Sequence, residues 1–300
     1  MTAIKLFQTY DQQVRLLQAR GMDAGDRDKA VFQLKQVNYY RLSGYWYPFR
    51  RIVNGSRTDD FFPGTTLDDV IKLYNFDAAL RAMTFGALAP IELTVRALLG
   101  HALGNIDERI HLNPSLLNLR AHSGAYEQWK NRYNREVADS HEDFVEHHRT
   151  RYGGEMPVWA AVEVLDWGGL TKLYGFSPRS VQDDVAAAFN LRAPQLESWL
   201  KSLNIVRNVC AHHGRFFNRV FALAPKLPPA GRFPELDQAA SFTRTFEHLT
   251  LIQFLLESQK MRRTGLPALM RTFPEVRFVP RSHTGAPVDW NESTLWGQAR

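Results

Sequence analysis

The sequence predicts a mainly α-helical fold. Apolar residues recur at three- and four-residue spacing through most of the chain, Gly, Pro and capping residues fall where helices would start and stop, and no internal repeat or low-complexity tract suggests another architecture. Residues 5–40 read as two helices, one carrying Leu6, Val14 and Leu17 and the other Ala30, Leu34 and Val37, with RGMDAGD as the turn between them. In NYYRLSGYWYPFR, Gly44 and Pro48 argue against one continuous helix, so a helix end followed by an extended piece is expected. After the Pro63-Gly64 turn, Thr65 or Thr66 caps a helical segment with Asp68 and Asp69 in its first turn, and Pro90 is expected to kink or divide it.

Residues 104–155 are polar and irregular, with one helix expected at 124–150. MPVWAAVEVLDWGGLTKLYGF reads as an apolar helix, or a pair broken at Gly168-Gly169. A helix from Pro194 to His213 follows, APKLPPAGRFPE interrupts, an amphipathic helix covers 236–262, and the tail from Thr264 is loop-rich. The division this suggests is an N-terminal helical lobe at 1–64, a helical domain at 65–263 and a tail at 264–300.

With 300 residues and 44% hydrophobic content, the chain can build a substantial core. MTAIKLFQTYDQQ lacks the apolar centre of a signal peptide, and no run approaches about 18 uninterrupted apolar residues, so a cytoplasmic protein away from membranes is expected. A single cysteine, Cys210, excludes an intrachain disulfide framework and a cysteine-based zinc site. The net charge of +6 favours an acidic partner, nucleic acid above all. Its distribution is more telling: between Glu197 and Glu235 there is no acidic residue, while Lys201, Arg207, Arg215, Arg219, Lys226 and Arg232 all fall inside.

A helical wheel over residues 196–215 gathers Leu196, Trp199, Leu203, Val206 and Cys210 into one apolar stripe. Asn204, Asn208, His212 and Arg215 form a polar ridge on the other flank, with Arg207 at its border. His213 falls at the edge of the stripe, which makes His212 the better candidate for chemistry and His213 the better one for a structural hydrogen bond. A neutral imidazole can take a proton from a ribose 2′-OH and an imidazolium can return one to the departing 5′-oxygen. A guanidinium can stabilise charge building on the phosphoryl oxygens. Spacing alone does not single out this pair, since an Arg followed by a His at this distance should occur about three times by chance in a chain this rich in arginine.

Other clusters read as structural. HEDFVEHH crowds His141, Glu142, Asp143, His147 and His148, but no HExxH spacing occurs, so a solvated helix is expected and no metal or cofactor. The aromatic block with Arg41 reads as core locking the N-terminal lobe onto the bundle rather than a base-stacking surface. Glu92 and Arg96 read as an ordinary helix pair, Cys210 as a small core residue, and Lys260, Arg262 and Arg263 as helix-end cations.

RNVCAHHGRFFNR resembles the Arg-Asn-x-x-x-His motif of the HEPN ribonuclease superfamily as it occurs in the Abi-like (abortive infection, AbiD/AbiF-type) family. NYYRLSGYWYPFR, FPGTTLDDVIKLYNFDAALR, PVWAAVEVLDWGGLTKLY, LESWLKSLNIVRNVCAHHGR and APVDWNESTLW are similar to that family's blocks in order. The resemblance implies a HEPN-type helical bundle with an additional N-terminal lobe, and a homodimer whose facing motifs form one ribonuclease site. It also implies a role in phage defence or as a toxin, in some members beside a small non-coding RNA or an antitoxin. By position it assigns Arg207, His212 and Asn208 to catalysis, with His213 as the alternative or supporting histidine. Arg215, Arg219, Lys201 and Asn204 are the expected RNA contacts, and a non-catalytic RNA-binding protein using the same basic face is the competing reading.

Overall fold

The computed structural model describes residues 4–237, 242–261 and 264–297. Thirteen α-helices and one two-stranded hairpin occur among these residues. The organising element is α4, Leu67–Gly104, a continuous helix of 38 residues. Thr66 caps it by accepting from the amide of Asp69, and Asp68 and Asp69 lie in its first turn, where the helix dipole favours them.

Pro90 neither divides nor ends α4. A proline crowds the carbonyl four residues earlier and gives it no hydrogen bond. That carbonyl belongs to Gly86, which is exposed and has no neighbour near its Cα, so the cost falls on a solvated group. One 18-residue window of α4 has mean hydropathy 1.4 and passes a length-and-composition test for a membrane span. Within that window 39% of the residues are buried; α4 as a whole also carries the buried Asp77–Arg81 ion pair and packs against other helices.

Helices α1 (Tyr10–Ala19), α2 (Arg27–Val37) and α3 (Tyr39–Trp46) form the N-terminal lobe. Asn38, at φ 67°, separates α2 from α3. The aromatic block is more helical than expected: α3 runs through Gly44 to Trp46, and Pro48 sits in a short 3-10 turn. The extended piece that follows is a hairpin, β1 (Arg50–Val53) with β2 (Ser56–Phe61), joined by Asn54 and Gly55, both at positive φ. Two left-handed residues in a two-residue loop are what a tight hairpin of this twist requires.

On α4 pack α3, α7 (Val158–Val164), α8 (Trp167–Phe176), α9 (Arg179–Ala188), α10 (Ala193–Ala211), α12 (Thr245–Ser258) and α13 (Leu266–Arg271). The polar helix expected at 124–150 is two, α5 (Gly124–Asp139) and α6 (Asp143–Arg151). The break between α7 and α8 falls at Leu165-Asp166 rather than at the glycines, because Asp166 caps α8 through the amide of Gly169. The helix expected at 236–262 is seen as α11 (Pro234–Asp237) and α12, with residues 242–244 and 259–261 not helical; residues 238–241, Arg262 and Arg263 lie outside the described residues. The tail is loop-rich yet part of the core: Trp296 stacks on Phe246 of α12 and donates its indole N–H to Thr250.

Candidate functional site

The motif helix α10 starts with Pro194 in its first turn and buries the predicted stripe, Leu196, Trp199, Leu203, Val206 and Cys210. Burial pushes the Cys210 thiol up to about 12, so it stays protonated and packs as a core residue. The helix ends at Ala211 with His212 as its C-cap. His213 is left-handed (φ 56°), its amide donates to the Cys210 carbonyl at 3.2 Å, and the Gly214 amide donates to the Val209 carbonyl at 2.8 Å. This is a Schellman end with histidine where glycine is commonest.

Asn208 and His212 are exposed, and neither side chain makes a hydrogen bond among the described residues. Arg207 is half-buried, with its guanidinium 5.5 Å over the ring of Phe85 on α4 and its Nε buried without a partner. The buried arginines of the described residues, Arg81 and Arg96, each hold a carboxylate, Asp77 and Glu92 respectively. No described carboxylate pairs with Arg207. Its guanidinium is therefore a partly desolvated cation with unused donors, the condition in which an added phosphate gains most.

The basic residues expected to touch RNA divide. Lys201 pairs with Glu197 at 2.7 Å, and Arg120 holds the same carboxylate at 2.6 Å. Burial pushes Glu197 up, but Arg120 and Lys201 outweigh it and hold its carboxyl below the ordinary range. The acid-free stretch of sequence is thus not acid-free in space. Arg215 donates to the Gly44 carbonyl, Arg219 lies 5.8 Å over the Phe221 ring, and Asn204 is half-buried beside Gly168. His213 exposes its ring and engages through its backbone carbonyl, which accepts from Arg41 at 2.5 Å, so the structural hydrogen bond expected of its side chain is absent among the described residues.

A second group joins the motif that sequence reasoning did not find. Asp77 is fully buried and accepts from the Tyr45 hydroxyl (2.6 Å), Arg81 (2.5 Å) and the backbone amides of Phe216 (3.1 Å) and Phe217 (2.7 Å). Burial pushes this carboxyl above its ordinary value, while four donors and no acceptor around it satisfy the ionised form. Burial also raises the Tyr45 phenol, which stays protonated and donates. The only signal in the sequence was Asp77 four residues before Arg81, which reads equally well as a surface pair.

The histidine-rich segment lies apart from these residues. His148 Nδ1 contacts the Phe144 carbonyl at 2.7 Å, and the rings of His147 and His148 pack against Tyr152 beside a cleft of about 570 Å³ that also meets Trp159. Among the described residues no three His, Cys, Asp or Glu side chains gather in a metal-binding group.

Nothing matched among curated proteins or among solved structures. The segment from Gln33 to Asn218, which holds the aromatic block, α4 with Asp77, the motif helix and the loop after it through Phe217, matches the model of the Abi-like protein family, and the chain belongs to that family.

Proposed function

We propose that this protein is a metal-independent RNA endonuclease of the HEPN type, acting in abortive infection or as a toxin. The observation that carries the reading is Arg207, a half-buried guanidinium without a carboxylate, on the same helix end as the free side chains of Asn208 and His212. The ribose 2′-oxygen attacks phosphorus, its proton passes to a neutral imidazole, the P–O5′ bond breaks, and an imidazolium protonates the departing 5′-oxygen. Arg207 stabilises the charge on the phosphoryl oxygens, with Asn208 as a supporting donor. The products are a 2′,3′-cyclic phosphate and a 5′-hydroxyl.

One chain offers one His212, so acid and base come from two copies. An uncharged exposed face on α4 supports this: Ala79, Ala82, Phe85, Gly86, Ala89 and Leu93 follow one another at three- and four-residue steps or as neighbours, with Phe85 41% and Leu93 60% exposed. Phe85 lies under Arg207, so a second copy on this face would meet the motif. Single-stranded or looped RNA is the expected substrate, because in-line attack needs a backbone freer than an A-form duplex.

The test is cleavage of RNA by pure protein in EDTA, with product ends analysed. Wild type should give cyclic-phosphate ends, and Arg207→Ala and His212→Ala should each lose on the order of 10²-fold or more. Survival of RNA with wild type overturns the reading. Salt-sensitive RNA binding without cleavage, retained in both variants, would establish the binding-only alternative instead.

A further inference from the structure

The His212 ring has no tether of its own among the described residues. Its place is set by its backbone. On one side His212 takes the last hydrogen bond of α10, to the Asn208 carbonyl at 3.0 Å; on the other, His213 turns left-handed and the chain leaves the helix.

Each of the next five residues is held by another element. Arg41 of α3 donates to the His213 carbonyl and Arg81 of α4 to the Gly214 carbonyl at 3.4 Å. Arg215 reaches back to the Gly44 carbonyl of α3, Asp77 takes the amides of Phe216 and Phe217, and Thr245 of α12 donates to the Phe216 carbonyl. At the centre is a buried ion pair, Asp77–Arg81, bridged by the Tyr45 hydroxyl, which also accepts from Arg81 at 3.0 Å. Well-packed apolar side chains of the same volume often stabilise a fold as well as a buried ion pair does, so stability is weak ground for its presence here. What such a pair adds is direction: it accepts two consecutive amides and donates to a carbonyl of the same loop.

We propose that Asp77, with Tyr45, Arg81 and Arg41, is a positioning device for His212, fixing residues 213–217 so that an untethered imidazole is presented in one place. The inference rests on the proposed reading of His212 as the proton-transfer group. It assigns the aromatic block of the N-terminal lobe a role in the chemistry of a helix that starts more than 140 residues later: Arg41, Gly44 and Tyr45 hold the loop that begins where His212 ends. Misplacement by about 1 Å can cost on the order of 10²-fold in rate without affecting substrate binding.

The experiment compares full-length wild type with Asp77→Asn, Tyr45→Phe and Arg41→Ala. Three quantities are read: single-turnover cleavage of an RNA oligonucleotide resolved into kcat and KM, hydrogen exchange at the Phe216 and Phe217 amides, and the His212 ring resonances. Asp77→Asn and Arg41→Ala should lower kcat roughly tenfold or more with KM changed less than about threefold, with shifted His212 resonances and, in Asp77→Asn, faster exchange at both amides. Arg41 is at the surface and Tyr45→Phe deletes one oxygen, so these two carry the test if Asp77→Asn does not fold. Folded variants that lose amide protection yet keep kcat and the His212 resonances would show the group to be structural only and overturn the proposal. Were wild type to cut no RNA, the reading of His212 would fall by itself, and the ring resonances would still decide whether the clamp positions that side chain.

Discussion

Replacing His213 with glycine separates the two adjacent histidines by a physical criterion. At φ 56° its Cβ crowds the backbone, and a non-glycine residue there costs about 1–2 kcal/mol. Glycine removes that cost but loses about 0.5–1 kcal/mol through the greater freedom of its unfolded chain. The ring of His213 makes no hydrogen bond among the described residues, and the carbonyl that accepts from Arg41 belongs to the backbone and survives the change. His213→Gly should therefore stabilise the protein by about 0.5–1 kcal/mol, measured as a raised urea midpoint with unchanged m-value, and RNA cleavage should persist. His213→Asn, which tolerates the left-handed region, should be close to neutral. A lowered midpoint would show that the imidazole contributes more by packing than the backbone strain costs. Loss of cleavage in a stabilised His213→Gly would move the proton transfer from His212 to His213.

Two further outcomes follow from the packing around α4 and α5. A Cβ at Gly104 would lie 2.7 Å from Cε3 of Trp159, so Gly104→Ala should destabilise by about 1–3 kcal/mol, and pairing it with Trp159→Ala should remove most of that penalty in a double-mutant cycle; additive losses would show the contact is not the cause. Burial pushes the His111 imidazole down to about 4 from 6.5, so between these values the unfolded chain binds a proton that the folded one does not. Stability is then full above pH 6.5 and falls as the pH drops, by about 2 kcal/mol between pH 7 and pH 5 from this group. Buried His248 acts in the same direction, and His111→Leu should flatten the profile; an equal slope in wild type and variant would refute the assignment.

The motif helix was legible because its information is local: five apolar residues at helical spacing predicted which side packs, and all five are buried. The same wheel set His212 outward, which the helix end preserves. The clamp was not legible, since Asp77 meets Tyr45 across 32 residues and Phe217 across 140, and no periodicity encodes such a meeting. Pro90 was over-read, because the penalty of a mid-helix proline depends on what surrounds the carbonyl it orphans, and Gly86 leaves that carbonyl in solvent. The hairpin was within reach: Asn54-Gly55 between β1 and β2 is a strong local turn signal. Lys201 shows the opposite limit, a residue in an acid-free sequence segment whose partner Glu197 sits one turn earlier.

Because α4 runs unbroken through Pro90, it works as a ruler. Asp77 grips the loop after His212, Phe85 seats Arg207, and Gly100 and Gly104 receive Trp159, all on one rod on which each residue adds about 1.5 Å and 100°. One inserted or deleted residue between Asp77 and Gly104 would swing the seat of Trp159 about a quarter turn around the axis relative to the clamp, and no neighbouring segment could follow it. Variation in length is therefore open to the surface turns at residues 105–109 and 152–155, which hold no buried residue, and closed to the rod, so a domain graft or linker placed in those turns should leave the motif end undisturbed while the same graft in α4 abolishes folding.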